Sequence, residues 1–281
     1  MLTPLEQLLA ALDVGPVCLV TVQEAKGSTP REQGAWMAIA LAAPEVLIGS
    51  IGGGHLEWQA MREAHERLKA CAVDAMGANG PGPVVRKALG PSLGQCCGGV
   101  VFLRFECLGP QDAAAVRARL APPLHKLALF GGGHVGRALV RVLEPLPFAV
   151  RWIDSRDEIF PAGLSSKVEC EHSDPVQGAV ADLAPGSVVL IMSFSHAEDQ
   201  DIVAECLKRQ RERADLTFIG LIGSKTKWAT FRHRLEARGF GEDDFARITC
   251  PIGVPGIVGK DPEVIAVAVA AQLLMRVSPV A

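Results

Sequence analysis

The feature that most limits what this chain can fold into is the run Leu127-Ala-Leu-Phe-Gly-Gly-Gly-His-Val-Gly136. A short apolar stretch of strand type leads into G-x-G-x-x-G at Gly131, Gly133 and Gly136, and a helical pattern follows. In that setting Gly131 permits a tight turn, Gly133 lets a pyrophosphate approach the backbone, and Gly136 lets the helix pack closely on the strand. The start of the helix adds unpaired N–H groups and the positive end of the helix dipole. Asp154 lies 23 residues beyond Gly131, at the end of the next expected strand, where an acid can bond a ribose 2′-hydroxyl. That position favours an NAD-like ligand, and Arg156 beside it blurs the preference. The competing reading is that the three glycines serve turn and packing alone.

The rest of the C-terminal sequence fits such a loop. Apolar runs alternate with helical patterns, and strands are expected near 126–130, 149–153, 167–170, 188–192, 217–222 and 248–250. This predicts an α/β domain, a Rossmann-like doubly wound parallel sheet over residues 126–281. Its last helix, Glu263 to Met275, is apolar nearly all round and is expected to be buried. Residues 1–110 predict a smaller N-terminal α+β domain, with strands near 17–22, 36–40, 46–48 and 100–105 and one strong helix, Leu56 to Lys69. The Ala- and Arg-rich segment 111–125 is expected to link the two and to form a helix ended by Pro122 and Pro123, and Gly77 to Pro83 reads as a loop.

Composition narrows the partners. A net charge of −3 offers no basic field for a phosphate backbone, so nucleic acid is not an expected partner. The apolar run Val264 to Met275 is far shorter than the roughly 20 residues of a membrane span, and no Lys or Arg precedes Lys26, so a cytosolic protein without membrane association is expected. Eight cysteines in such a chain do not imply a disulfide framework. Six of them, Cys18, Cys71, Cys107, Cys170, Cys206 and Cys250, fall on or near predicted strands and helices and read as packing residues.

Three glycine-rich motifs mark the N-terminal domain: Gly27-Ser-Thr-Pro-Arg31, Gly49-Ser-Ile-Gly-Gly-Gly-His-Leu-Glu57 and Leu93-Gly-Gln-Cys-Cys-Gly-Gly99. The second runs glycines into the start of the predicted helix and so suggests an anion-receptive N-terminus, with Arg31, Ser28 and Thr29 as further donors. Cys96 and Cys97 are adjacent, too close for an ordinary disulfide between them, and no C-x-x-C pair accompanies them for structural zinc. Their flanking glycines suit an accessible thiolate acting as a soft donor or sulfur acceptor. Two buried small hydrophobes at a strand start is the bland alternative.

Taken together with Phe130-Gly-Gly-Gly-His-Val-Gly136, Gly220-Leu-Ile-Gly-Ser-Lys225 and Cys250-Pro-Ile-Gly253, these motifs make the sequence resemble the XdhC/CoxI family, the accessory proteins of xanthine dehydrogenase. The resemblance spans most of the chain. It implies a chaperone, not an enzyme, that binds the molybdenum cofactor (molybdopterin) as cargo and protects it while a cysteine desulfurase supplies sulfur. It further implies delivery of that cargo to apo-xanthine dehydrogenase or a related molybdenum hydroxylase. On this resemblance Cys97 first and Cys96 second contact molybdenum or handle sulfur. Arg31, His55 and Glu57 line the same region, and Gly131, Gly133, Gly136 and Asp154 face a nucleotide or the pterin end. Two alternatives stay open: an NAD-dependent oxidoreductase using His196 and Asp199 after the fourth strand of the second domain, and a ligand-free interaction scaffold. A homodimer and a bound NAD-like nucleotide are both compatible with the resemblance.

Overall fold

A computed structural model describes residues 3–73, 82–90 and 98–277, and the chain divides into two compact units, residues 1–121 and 122–281. In the first unit, α1 (Pro4–Val14) precedes three strands, β1 (Val17–Lys26), β2 (Trp36–Ala40) and β3 (Ala43–Gly49). Next come α2 (Gly54–Val73), β4 (Val84–Ala88), β5 (Val100–Leu108) and α3 (Ala113–Leu120). The strands form an antiparallel sheet in the order β3-β2-β1-β5-β4. Side chains alternate across β1 with a period of two, so Cys18, Val20 and Val22 face α2 while Val17 and Leu19 face α1 and α3. Both faces are therefore covered, which is why Val17 to Val20 reads as an unbroken apolar run. On α2, Leu56, Ala60, Ala64 and Leu68 form the buried stripe expected from their spacing, and beside it the half-buried Arg67 pairs with Glu63 at 2.7 Å.

The second unit runs β6 (His125–Phe130), α4 (His134–Leu143), β7 (Phe148–Asp154), β8 (Val168–His172) and β9 (Val188–Ile191). It continues through α5 (His196–Glu212), β10 (Phe218–Leu221), α6 (Lys225–Glu236), α7 (Glu242–Phe245), β11 (Ile248–Thr249) and α8 (Pro262–Val277). All described pairings are parallel, in the order β11-β10-β9-β6-β7-β8. Counted within the unit this is the doubly wound order 3-2-1-4-5-6. Helices α4 and α8 cover one face, over Leu127, Leu129, Val150 and Trp152. Helices α5, α6 and α7 cover the other, over Ala128, Phe130, Ile153 and Ile191. The order reverses between β6 and β9, so the crevice at their carboxyl ends is where a ligand of such a sheet binds.

All six strands expected of the C-terminal sheet are present, as are the four expected in the N-terminal sheet. Two elements were not anticipated. Helix α1 begins with a reciprocal cap, in which Thr3 N–H donates to Glu6 at 2.7 Å and Glu6 N–H donates to the Thr3 hydroxyl at 3.3 Å. Strand β4 is short, lies at the sheet edge and exposes Val84, Arg86 and Ala88. Helix α8 departs from the all-round burial expected of it. Ala266, Val269, Ala270 and Leu273 are buried, but Val267 and Met275 stand in solvent, so only one face packs on the sheet. The expected link over 111–125 contains α3, whose Val116 is buried with Leu8, Leu9 and Leu12 of α1 in the first unit. The loop Gly77 to Pro83 lies largely outside the described residues. Among the described residues no helix is long and apolar enough to cross a membrane.

Candidate functional site

In the first unit the three glycine motifs interlock at one end of the sheet. Gly27 turns the chain after β1 with φ +73°, and Gly99 packs on that turn, its N–H donating to Ser28 O at 3.1 Å. A Cβ on Gly99 would fall 2.5 Å from Lys26 O and 2.6 Å from Ser28 O, so no larger residue fits. Gly52 is held equally close to Pro30: a Cβ there would lie 2.2 Å from the proline ring, on a backbone of φ +122°. Thus Gly27-Ser-Thr-Pro-Arg31 sits between the glycines of the other two motifs. Cys96 and Cys97, which directly precede Gly98 and Gly99, lie outside the described residues.

Glu57 organises the second motif from within. Its carboxylate accepts from the Ser50 hydroxyl at 2.5 Å, from Ile51 N–H at 2.9 Å and from Gly52 N–H at 3.1 Å. Burial pushes its pKa up, but the Ser50 hydroxyl and the amides of Gly53, Ile51 and Gly52 outweigh that and hold it below the usual carboxylate range. The loop expected to be open to an anion is therefore already filled by this chain's own carboxylate. Arg31 reaches Ser50 O at 3.4 Å and pairs with its neighbour Glu32 at 3.0 Å, which leaves an exposed guanidinium beside the loop. Arg31 and Glu57 thus meet at Ser50. His55 is exposed on the first turn of α2, its ring 5.4 Å from that of the half-exposed Trp58.

In the second unit the three glycines of the phosphate-type loop separate by role. A Cβ on Gly131, at φ +120°, would lie 2.0 Å from Met192 O, and one on Gly136 would lie 2.2 Å from Gly131 O. Turn and packing alone demand both. Gly133 has an ordinary φ of −71°, and a Cβ there would meet nothing within 4 Å. Open space in front of this residue is what a ligand approaching the backbone at the start of α4 needs.

Asp154 is buried and engaged by its own chain. Its carboxylate accepts from Gly132 N–H at 2.5 Å, from Arg156 N–H at 2.9 Å, and from the Arg156 guanidinium at two points, each 2.8 Å. Burial raises its pKa, but Arg156 and these amides more than offset that, and the group is held below its ordinary value. Asp154 thereby fastens the glycine loop to the end of β7. Arg156 also lies over the ring of Phe194, 4.6 Å from its centre, and Phe194 projects from the loop after β9 with 66% of its surface exposed. Sequence reasoning missed Phe194, although an apolar aromatic just past a strand's carboxyl end was the available signal. Asp199 is also committed: it accepts from Ser193 N–H at 2.8 Å and pairs with Lys227 at 2.6 Å, with only 3% exposed. His196 lies exposed at the start of α5, its ring 6.1 Å from Phe231.

Two family descriptions match this chain: the XdhC Rossmann domain over residues 127–273, and the XdhC and CoxI family over residues 11–73. The uncharacterized protein YqeB of Escherichia coli (strain K12) is 25% identical over 268 residues, covering 92% of this chain and 43% of YqeB. This chain thus spans less than half the length of that relative. A crystal structure described as a xanthine dehydrogenase from Bacillus halodurans shares the fold, with a TM-score of 0.75 at 18% identity over 98% of this chain and 96% of that one. With one description covering more than half of its residues and the other the start of its N-terminal unit, the chain belongs to the XdhC and CoxI family.

Proposed function

We propose that this chain is a maturation factor for a molybdenum hydroxylase, which carries the molybdenum cofactor as cargo and turns over no small metabolite. The observation that carries this reading is the interlock of Gly27-Ser-Thr-Pro-Arg31, Ser50 to Glu57 and Gly99 in one place, in a chain of the XdhC and CoxI family. Cys96 and Cys97 directly precede Gly98 and Gly99 in the sequence, and soft thiolates suit a molybdenum centre or a sulfur in transit. The exposed Arg31 guanidinium suits the phosphate of the cargo, since Glu57 already occupies the loop amides. The client is apo-xanthine dehydrogenase or a related hydroxylase, and a cysteine desulfurase is the sulfur source. The test is metal and pterin analysis of the anaerobically isolated protein, together with activation of the apo-client in trans. Cys97→Ala is expected to lose most bound molybdenum or most client activation. Full retention of both would overturn the assignment.

The second unit supports a companion reading, a nucleotide or the pterin end of the cargo at the β6–α4 loop, on the strength of the open space at Gly133 and the exposed Phe194. An NAD-dependent oxidoreductase draws less support. The acid it needs for a ribose hydroxyl is tied up with Arg156 and Gly132, and Asp199 with Lys227. Consumption of NADH with a carbonyl substrate, without any partner, would reverse that order.

A further inference from the structure

Three cysteines far apart in the sequence meet in the first unit. Cys18 and Cys107 are directly opposed in the β1–β5 register, and Cys71 descends on them from α2, placing its Sγ 2.6 Å from that of Cys107. Cys18 is fully buried, whereas Cys71 and Cys107 are half-buried. One turn before Cys71, the guanidinium of Arg67 lies over the Phe105 ring, 4.8 Å from its centre, and its buried Nε has no hydrogen-bond partner among the described residues. The thiols differ in acidity. Hydrogen bonding to Cys107 and burial hold Cys18 firmly in its thiol form. The Cys18 thiol first, then the Cys71 thiol and the Arg67 charge, overcome burial and bring Cys107 down to about 6. A thiolate with a second sulfur almost at bonding distance is more than a packing residue. Two sulfurs 2.6 Å apart are placed to be oxidised together.

We propose that Cys71 and Cys107 form a reversible disulfide when a peroxide oxidises them, stapling the end of α2 to the end of β5. The Cys107 thiolate attacks one peroxide oxygen; an S–O bond forms, the O–O bond breaks, and hydroxide leaves. The Cys71 thiol then gives up its proton and attacks the Cys107 sulfur; the S–S bond forms, the S–O bond breaks, and the departing hydroxide takes the proton as water. Two thiols lose two electrons and two protons, and one hydrogen peroxide becomes two waters. The sulfurs need close by only about 0.6 Å to reach disulfide length. The staple closes the segment 72–106, which carries β4 and Cys96-Cys97-Gly98-Gly99. The site stands on its own geometry and does not depend on the cargo reading above.

Tryptic digestion separates the four relevant sites, because Cys18, Cys71, Cys96 with Cys97, and Cys107 fall on different peptides ending at Lys26, Arg86, Arg104 and Arg117. The fully reduced whole chain is exposed to one equivalent of hydrogen peroxide, blocked with N-ethylmaleimide and digested without reductant. The expected product is a peptide pair joining Cys71 to Cys107, restored to two free peptides by dithiothreitol, with an initial rate that rises as pH passes through about 6. Cys18→Ala is expected to keep the link but need a higher pH for the same rate. Recovery of both Cys71 and Cys107 alkylated, a link from Cys107 to any other cysteine, or Cys107 as sulfinic acid without a link would each overturn the proposal.

Discussion

Gly133 and Gly136 stand three residues apart in one loop, yet their side-chain positions face opposite conditions. A Cβ at Gly136 collides with the Gly131 carbonyl, a backbone atom that cannot give way without moving the strand end, whereas a Cβ at Gly133 meets open space. Gly136→Ala should therefore cost about 2 to 3 kcal/mol in denaturant unfolding, in the range of overpacked sites. Gly133→Val should leave the unfolding midpoint near that of the parent and lower affinity for whatever nucleotide or pterin phosphate the loop takes, by at least tenfold in a titration. Equal affinity in both proteins would make Gly133 a bystander. Asp154 supports a prediction about acid. Its folded pKa is depressed, so the stability it contributes is present above its unfolded value of about 3.9 and is lost as pH falls through the lower folded value. Asp154→Asn should be less stable than the parent by about 2 kcal/mol at pH 7, and the gap should close below about pH 4, as read from urea midpoints across the pH series. A gap that stays constant down to pH 3 would mean that the carboxylate's charge does not matter there.

At the scale of elements, much of the second unit hangs on one buried arginine. Arg209 on α5 donates to Val180 O and Leu183 O at 2.7 Å each and pairs with Asp215 through two nitrogens, so it joins the helix to the 3-10 turn Val176–Asp182 and to the approach to β10. A lysine has one nitrogen and cannot serve both carbonyls and the carboxylate. Arg209→Lys is therefore expected to lower stability by about 3 kcal/mol by leaving buried acceptors unpaired, which chemical denaturation would detect. No such role was readable from an arginine in a charged helix face. Legibility in this chain follows burial. The four central parallel strands, β6, β7, β9 and β10, announced themselves because strands covered on both faces are largely apolar, and the stripe of α2 because its period is helical. Strand β4 was silent because an exposed edge strand need not be apolar. Helix α1 was readable and overlooked: Thr3-Pro-Leu-Glu6 is a capping box with proline in the first turn. Asp154, Glu57 and the three-thiol cluster were beyond reach. Local motif logic assigns a carboxylate or a thiol to a ligand or a core, but whether the chain itself satisfies it depends on register and on where a helix lands.

The whole molecule consists of two units that each cover both faces of their own sheet. In residues 122–281, α4 and α8 bury one face and α5 to α7 the other, and Trp152 is fully enclosed with its indole N–H donating to Gly131 O at 2.9 Å. A layered α/β sheet with both faces filled has the core it needs to fold alone. The fragment 122–281 carrying Trp228→Phe, so that Trp152 is its single tryptophan, should accordingly give one cooperative urea transition, with Trp152 reporting a buried indole before it and an exposed one after it. Because the indole hydrogen bond reaches the first glycine of the loop, the same signal reports whether that loop is formed. Gly133→Val in the fragment should leave the transition in place, and Gly136→Ala should move it to lower urea. A fragment that binds a hydrophobic dye and unfolds without a cooperative step would show that residues 1–121 are needed to complete the sheet. If the fragment folds, nucleotide titrations can be carried out on it away from the cysteines of the first unit; any affinity seen there belongs to residues 122–281, and its loss in Gly133→Val assigns it to the β6–α4 loop.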